Sequence, residues 1–327
     1  MLNSSSSKLL TLCIPTFNRS HTVARLIQEI LDFNLNDKIE ILVIDDGSSD
    51  DTFEVISEFS KFTNVSIHRN EQNLGWPLTM MKYFNLCNTE YLLEVPDDDI
   101  IYKEGIEDLF PTLLEVNPDF LSTRWINHDR KLYSARGNDT LKEIPLKKIK
   151  SKLGHSPGSL YRTSLIKNAE PIIMNRIAKN CGAVNFYPQV MLMEIAKLNG
   201  AKLYDCPILI GGFRVEGALE TNLTDSQGHG YLSFESVLTT HTGLKEFYEE
   251  MLLMHKDSIY AGDLEFMIEH HDMSFYNRVD DALSINSPEL RDKFRSASAR
   301  NFVNPLKGIK YFVKYISFKI KNLIINR

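Results

Sequence analysis

Along the first third of the chain, short apolar runs alternate with stretches whose apolar residues recur every three or four positions. Leu9–Ile14 is such a run, stopped by Pro15, and Ile39–Ile44 is a second one, built almost wholly of β-branched residues and Leu. Continuous apolar runs of this length predict strands buried on both faces. Val65–His68 and Tyr91–Val95 continue the series. Between them lie helical patterns. Ser20 is a candidate N-cap for a helix with apolar positions Val23, Leu26, Ile27, Ile30 and Leu31. A second helix carries Phe53, Ile56 and Phe59, a third spans about Pro77–Leu86, and a fourth Gly105–Val116. The β-α-β-α-β-α-β order predicts a doubly wound, mostly parallel sheet flanked by helices, a Rossmann-like α/β class.

Beyond Phe120 the pattern loosens. Leu121–Ile126, Leu160–Tyr161 and Lys202–Ile210 read as strands, and Pro188–Leu198 reads as a helix crowded with apolar residues. Residues 154–159 and 218–230 are turn-rich and polar, and from Phe234 onward helical patterns dominate. These shifts predict a Ser-rich disordered tail at 1–8, sheet halves at 9–120 and 121–232, and a C-terminal helical extension at 233–327.

Chemistry concentrates where strands end. Ile39–Ile44 runs into Asp45-Asp46-Gly47-Ser48-Ser49-Asp50, and Tyr91–Val95 runs through Pro96 into Asp97-Asp98-Asp99. At ~4–6 Å and an effective dielectric of about 20, each pair of like charges in the triplet costs roughly 3–4 kcal/mol before screening. Full solvation or a bound cation relieves that repulsion. In open α/β sheets ligands bind beyond the carboxyl ends of the strands, and hard divalent cations bridge carboxylates to phosphates there. The triplet therefore reads as a metal–phosphate site, with a solvated acidic loop as the alternative. Pro96, which lacks an N–H, ends the ladder and sets the exit angle of the triplet. No Gly-x-Gly-x-x-Gly follows the first strand and no Gly-Lys-Ser/Thr occurs, which argues against dinucleotide oxidoreductases and phosphate-loop ATPases.

Composition adds bounds. The 327 residues are 43% hydrophobic and 24% charged, an ordinary globular balance. No run of 18 apolar residues occurs and no apolar signal core follows Met1, so the expectation is a cytoplasmic chain. Cys13, Cys87, Cys181 and Cys206 form no CxxC pair and fit a reducing compartment. Net charge is −6, yet nine Lys/Arg and no acid follow from Lys293 on, leaving −15 on the rest. An acidic body with a basic tail argues against nucleic acid as a partner. Within that tail Ile309, Phe312, Val313, Ile316, Ile320, Leu323 and Ile324 mark one helical face among lysines. The pattern at 305–327 fits an amphipathic helix on an anionic membrane surface, or a terminal helix docked on the body.

Four pieces in order, Ile14-Pro15-Thr16-Phe17-Asn18-Arg19, Val43 to Asp50, Asn70 to Gly75 and the triplet, resemble the family 2 glycosyltransferases of GT-A fold. The resemblance is specific over residues 9–115 and weak over 120–215. It implies a bacterial enzyme of surface-polysaccharide type, moving a sugar from a nucleotide-diphosphate donor to a saccharide or lipid-linked acceptor with Mn²⁺ or Mg²⁺. It places Pro15, Thr16 and Phe17 along the base and ribose. Asp46 accepts a hydrogen bond from the base, which favours the ring N–H of uracil or thymine. Asp45 is tied to backbone N–H groups at the strand end, and Asn18 and Arg19 hold the turn or cap the helix. Asp99 ligates the metal, with Asp97 as second ligand, and Asp97 or Asp98 contacts the ribose. Lys82 and Arg214 are candidates for the diphosphate, against an exposed helical lysine and a structural salt bridge.

The chain departs from the pattern where the family commonly supplies its general base. Asn185-Phe186-Tyr187-Pro188-Gln189 holds no acid. Glu194 is the nearest carboxylate and the candidate base, with a helix-surface charge as the alternative; His128, His155, Asp205 and Glu216 are further candidates. A retaining reaction, in which a donor phosphate oxygen helps deprotonate the acceptor, is the other reading. Two other classes remain: a silent nucleotide-sugar-binding or scaffold protein, favoured by that missing acid, and a nucleotide-sugar pyrophosphorylase, disfavoured because Pro15–Arg19 is no Gly-rich basic loop.

Overall fold

A computed structural model describes residues 8–126, 140–153, 157–178, 188–214 and 234–271. Contacts divide the chain into two compact units, one holding the sheet and the other the helices from Phe234 on. In the first unit, β1 (Leu10–Thr16), β2 (Ile39–Asp45), β3 (Val65–Arg69) and β4 (Tyr91–Glu94) alternate with α1 (Ser20–Leu31), α2 (Thr52–Ser57) and α3 (Trp76–Leu86). Then come β5 (Asp99–Ile101), α4 (Lys103–Val116), β6 (Phe120–Ile126), β7 (Lys142–Glu143), α5 (Ile149–Leu153), β8 (Ser159–Arg162), α6 (Thr163–Ala178), α7 (Pro188–Leu198) and β9 (Leu203–Phe213). Among the described residues all nine strands join one sheet, ordered β3-β2-β1-β4-β8-β6-β9-β5 with β7 on β9. From β3 to β4 every pairing is parallel, and beyond β4 antiparallel partners enter on both sides of β8 and at β5.

The local patterns explain the layers. Val23, Leu26, Ile27, Ile30 and Leu31 are the buried positions of α1, the set its spacing predicts. They pack into one cluster with Leu10, Leu12 and Ile14 of β1 and Ile41 and Val43 of β2. Each such burial contributes about 1.5–3 kcal/mol relative to exposure. Two boundaries differ from expectation. Ser20 is the first residue of α1 and not its cap; Arg19 stands at the N-cap with no capping side chain. β1 continues through Pro15 to Thr16, with Pro15 opposite Ile44. Cys13 O accepts from Val95 N on the β4 side, and Thr16 O accepts from Asp46 N on the β2 side. By alternation Pro15 faces the β4 side beyond the end of that pairing, so its missing N–H costs no ladder bond.

The helix α6 and the short strand β5 had no clear signal in the sequence. In the second unit, α8 (Phe234–Met254) and a helix over 261–271 bury Leu244, Phe247, Met251 and Leu264. Among the described residues no helix is long and apolar enough to cross a membrane. The basic segment 305–327 lies outside the described residues.

Candidate active site

The parallel half of the sheet delivers four turns to one edge, at the carboxyl ends of β1, β2, β3 and β4, where the sequence places its acids. The first two turns are stitched together. Asn18, at φ 53°, accepts a hydrogen bond on Oδ1 from Ser49 N (2.8 Å), and its own N–H donates to Ser48 Oγ (2.8 Å). Arg19 N donates to Thr52 Oγ1 (2.9 Å). Asn tolerates the left-handed conformation, which is why it serves here. The next side chain back, Phe17, stays 40% exposed, an apolar face open to a planar ligand.

Asp45 and Asp46 are adjacent but differently employed. Asp45 is fully buried, accepts from Ser48 N (2.9 Å), and lies 3.3 Å from Arg69 Nε, the strand-end anchoring expected of it. Asp46 faces the turn after β3. Its Oδ1 accepts from Asn70 Nδ2 (2.6 Å) and Leu74 N (2.9 Å), and its Oδ2 from Gly75 N (3.0 Å). One acceptor position on Oδ2 remains. Lys82 Nζ, half-buried on α3, donates to Asn70 Oδ1 and so extends this network. The Asn70–Gly75 turn passes directly over Gly47. That residue sits at φ 75°, and a Cβ there would lie 2.5 Å from the Gln72 carbonyl carbon.

The triplet follows β4 through a turn in which Asp99 N approaches Pro96 O (3.3 Å). Asp97 has both oxygens engaged: Oδ2 accepts from Thr16 Oγ1 (2.7 Å) and Oδ1 from Arg19 Nη1 (2.6 Å). The same Nη1 lies 3.0 Å from Asp98 Oδ2. Burial pushes the Asp97 carboxyl up, and Arg19 opposes that shift. The charge problem posed by three acids thus has a partial answer inside the chain. Arg19, expected to hold its turn or cap the helix, is the partner of the triplet, a contact that sequence reasoning missed although Arg19 is the one cation within Pro15–Arg19.

Asp99 stands apart. It is buried and opens β5, paired with Phe213 of β9. Burial, then Asp98 and Asp97, push its carboxyl up to about 8, while Arg214 and Arg19 pull it down. Gly211 holds β9 tight against β5, since a Cβ there would lie 2.4 Å from Ile100 O. Arg214 Nη2 reaches Asp99 O (3.4 Å) and forms an ion pair with Glu29 Oε2 (2.5 Å), the salt-bridge alternative for this residue.

These residues suit a divalent cation in one specific way. No group of three or more His, Cys, Asp or Glu side chains among the described residues forms a protein cage. A buried, charge-disfavoured carboxylate at Asp99 matches the sites in which Mg²⁺ or Mn²⁺ takes one or two carboxylates and completes its shell with phosphate and water. Asp97, committed to Thr16 and Arg19, is better placed to support than to ligate. Glu194 is 1% exposed inside α7, which packs on α5 and α6, so the helix-surface alternative is overturned. That burial also weighs against Glu194 as general base, because a base must come within hydrogen-bond reach of the acceptor hydroxyl. Asp205 is buried and forms an ion pair with Lys152 (2.5 Å). His128, His155, residues 185–187 and Glu216 lie outside the described residues.

Comparison with known proteins bears directly on this geometry. Residues 11–169 match the family model "Glycosyl transferase family 2". Over 159 residues the chain is 26% identical to the poly(ribitol-phosphate) beta-N-acetylglucosaminyltransferase TarS of Staphylococcus aureus, covering 47% of this chain and 28% of TarS. It is 32% identical over 152 residues to the abequosyltransferase RfbV of Salmonella typhimurium, covering 40% of this chain and 45% of RfbV. The chain thus spans less than half the length of either relative. Among solved structures, TarS 1-349 in complex with UDP-GlcNAc superposes with a TM-score of 0.57 at 17% identity, over 89% of this chain and 87% of that one. The mannosyltransferase PcManGT of Pyrobaculum calidifontis, in complex with GDP-Man and Mn²⁺, gives 0.53 at 11% identity over 98% and 88%. These likenesses establish the GT-A fold.

Proposed function

We propose, from the match of residues 11–169 to the glycosyl transferase family 2 model, that the chain transfers a sugar from a nucleotide-diphosphate donor to a saccharide or lipid-linked saccharide acceptor in surface-glycan assembly. The observation that carries this reading is the convergence at one sheet edge of an exposed Phe17, the Asp46–Asn70 network and a buried Asp99. An aromatic face, a carboxylate acceptor and an acid suited to a metal–diphosphate are the parts that donor recognition needs.

In this reading Pro15, Thr16 and Phe17 line the base and ribose, and Asp46 and Asn70 present polar groups to the base edge. Asp97 and Asp98 lie on the ribose side of the triplet. A divalent cation, Mn²⁺ or Mg²⁺, held at Asp99 supplies Lewis-acid stabilisation of the departing diphosphate. Lys82, a candidate for the diphosphate, is bonded to Asn70 and orders the Asn70–Gly75 turn, and Arg214 fixes the Asp99 main chain from the other side. UDP is favoured among donors, because an acceptor at Asp46 suits the uracil N–H and because the TarS structure was solved with UDP-GlcNAc.

A thermal-shift panel of UDP-, dTDP-, GDP- and CDP-sugars, each with and without Mn²⁺, tests this reading. The expected result is a rise in Tm with UDP-sugar that depends on Mn²⁺. Equal shifts for all four nucleotides would remove the role of Asp46, and no shift with any of them would remove the donor site.

A lipid-linked acceptor at the inner face of the cell membrane agrees with the basic apolar spacing at 305–327. Deleting those residues is expected to release the protein from anionic liposomes. Unchanged pelleting after the deletion would place membrane attachment elsewhere or nowhere.

A further inference from the structure

Arg19 has no part in donor binding in the reading above, yet among the described residues it is the side chain that binds two members of the triplet. Its Nη1 lies 2.6 Å from Asp97 Oδ1 and 3.0 Å from Asp98 Oδ2, and its side chain is 16% exposed. Thr16 Oγ1 closes the other oxygen of Asp97 at 2.7 Å. The main chain that carries the guanidinium is fixed, because Arg19 N is bonded to Thr52 of the neighbouring turn and its carbonyl accepts from Thr22 N and Val23 N at the start of α1. One positive charge is therefore built in between two of the three carboxylates.

We infer that Arg19 is a positioning residue that serves as a resident counter-ion, satisfying Asp97 and Asp98 so that the triplet binds a divalent cation at Asp99 only when a donor diphosphate arrives with it. The inference rests on the metal reading of Asp99 given above. Its physical basis is the balance of charge. With Arg19 in place, Asp97 and Asp98 share one positive charge and each has an oxygen occupied by it, so the triplet's charge falls from −3 to −2 and Asp99 by itself is a weak ligand set for a dication. The missing oxygen ligands must come from the nucleotide and water. Without Arg19, Asp97 and Asp98 lose the cation they share, Arg214 acts only on Asp99, and the triplet attracts a dication more strongly. Because both carboxylates are bound through one nitrogen, the point charge matters more than the planar fork, and a lysine is an adequate substitute.

The test is a Mn²⁺ titration of the full chain, followed by the electron paramagnetic resonance of free Mn²⁺, with and without UDP. In the wild type, Mn²⁺ is expected to bind weakly alone and much more tightly with UDP. In Arg19→Met, nucleotide-free Mn²⁺ binding is expected to tighten at least tenfold; with the affinity of the UDP complex set by the diphosphate oxygens and unchanged, the tightening by UDP shrinks by the same factor, and so does the tightening of UDP by Mn²⁺. Arg19→Lys is expected to titrate like the wild type. A residue that merely stabilised the fold would weaken Mn²⁺ binding when removed, so the gain separates the two roles. Should Arg19→Met fail to fold, Arg19→Met/Asp98→Asn against Asp98→Asn makes the same comparison with the orphaned charge removed. Nucleotide-free affinity unchanged or lowered in the folded arginine-free protein overturns the inference, as does a lysine variant that behaves like the methionine one. If UDP fails to tighten Mn²⁺ binding in the wild type, the metal reading of Asp99 falls instead.

Discussion

Asp99→Asn is expected to abolish Mn²⁺-dependent UDP binding and to lower sugar transfer by about 10²–10³-fold or more, the scale set by removing one preorganised electrostatic group from a transition state. Three features single out this residue. Asp99 is buried, its carboxyl is pushed up to about 8 by burial and by its two acidic neighbours, and its main chain is fixed between Pro96 and β9. A buried acid in that condition is costly to ionise unless a cation meets it. Asparagine has nearly the same shape and no charge, so it removes the cation's anchor without adding the cost of a buried anion. The variant should therefore melt at or above the temperature of the metal-free wild type. That outcome would separate a lost site from a lost fold. An Asp99→Asn protein whose UDP affinity still responds to Mn²⁺ would refute the assignment.

The second large effect is expected at Asp46. Its carboxylate accepts from the Asn70 amide, Leu74 N and Gly75 N, and the Asn70 side chain in turn holds Lys82. Hydrogen bonds to a charged group contribute about 1.5–3 kcal/mol each, and they are not additive within one network. Asp46→Ala leaves three donors without this partner, which is expected to cost roughly 3–5 kcal/mol and to lower Tm by on the order of 10 °C. UDP affinity should fall at least tenfold, because the Asn70–Gly75 turn loses the group that fixes it. Melting and UDP titration together distinguish two roles for the carboxylate. If Asp46→Ala melts like the wild type and only UDP binding weakens, the residue acts on the base and not on the turn. If neither changes, it does neither.

Much of this site was legible because its parts are local. A buried strand followed by Asp-Asp-Gly-Ser-Ser-Asp announces an acidic turn, and the spacing from Val23 to Leu31 names the buried face of α1 without reference to any other element. The partnerships are a different matter. Nothing near Arg19 in the chain points to Asp97 and Asp98, nearly eighty positions away. The tendency of Asn18 and Arg19 to form a turn was visible, but the destination of the guanidinium was not. Pro15 misled for a related reason. A proline ends a strand only where its missing N–H faces a neighbour, and the β4 pairing has already stopped at Glu94. Glu194 illustrates the converse. Its helix is apolar on nearly every side, a pattern that hides which face a lone acid takes, and the structure buries it. The three-residue strand at Asp99 is too short for any periodicity to reveal, and it exists because β9 offers it a partner.

That pairing has a consequence for how the protein is made. The segment bearing the family signature ends at 169, whereas the strand that holds Asp99 in register ends at Phe213. A nascent chain that has emerged only as far as β8 already contains every acid of the donor edge, but the last of them has no strand to join. Closing so long a loop is slow relative to the local helices and the β1–β2 crossover. Donor competence should therefore appear late in synthesis, after the parallel half of the sheet has formed, and a fragment cut to the family segment would inherit the signature without a fixed Asp99.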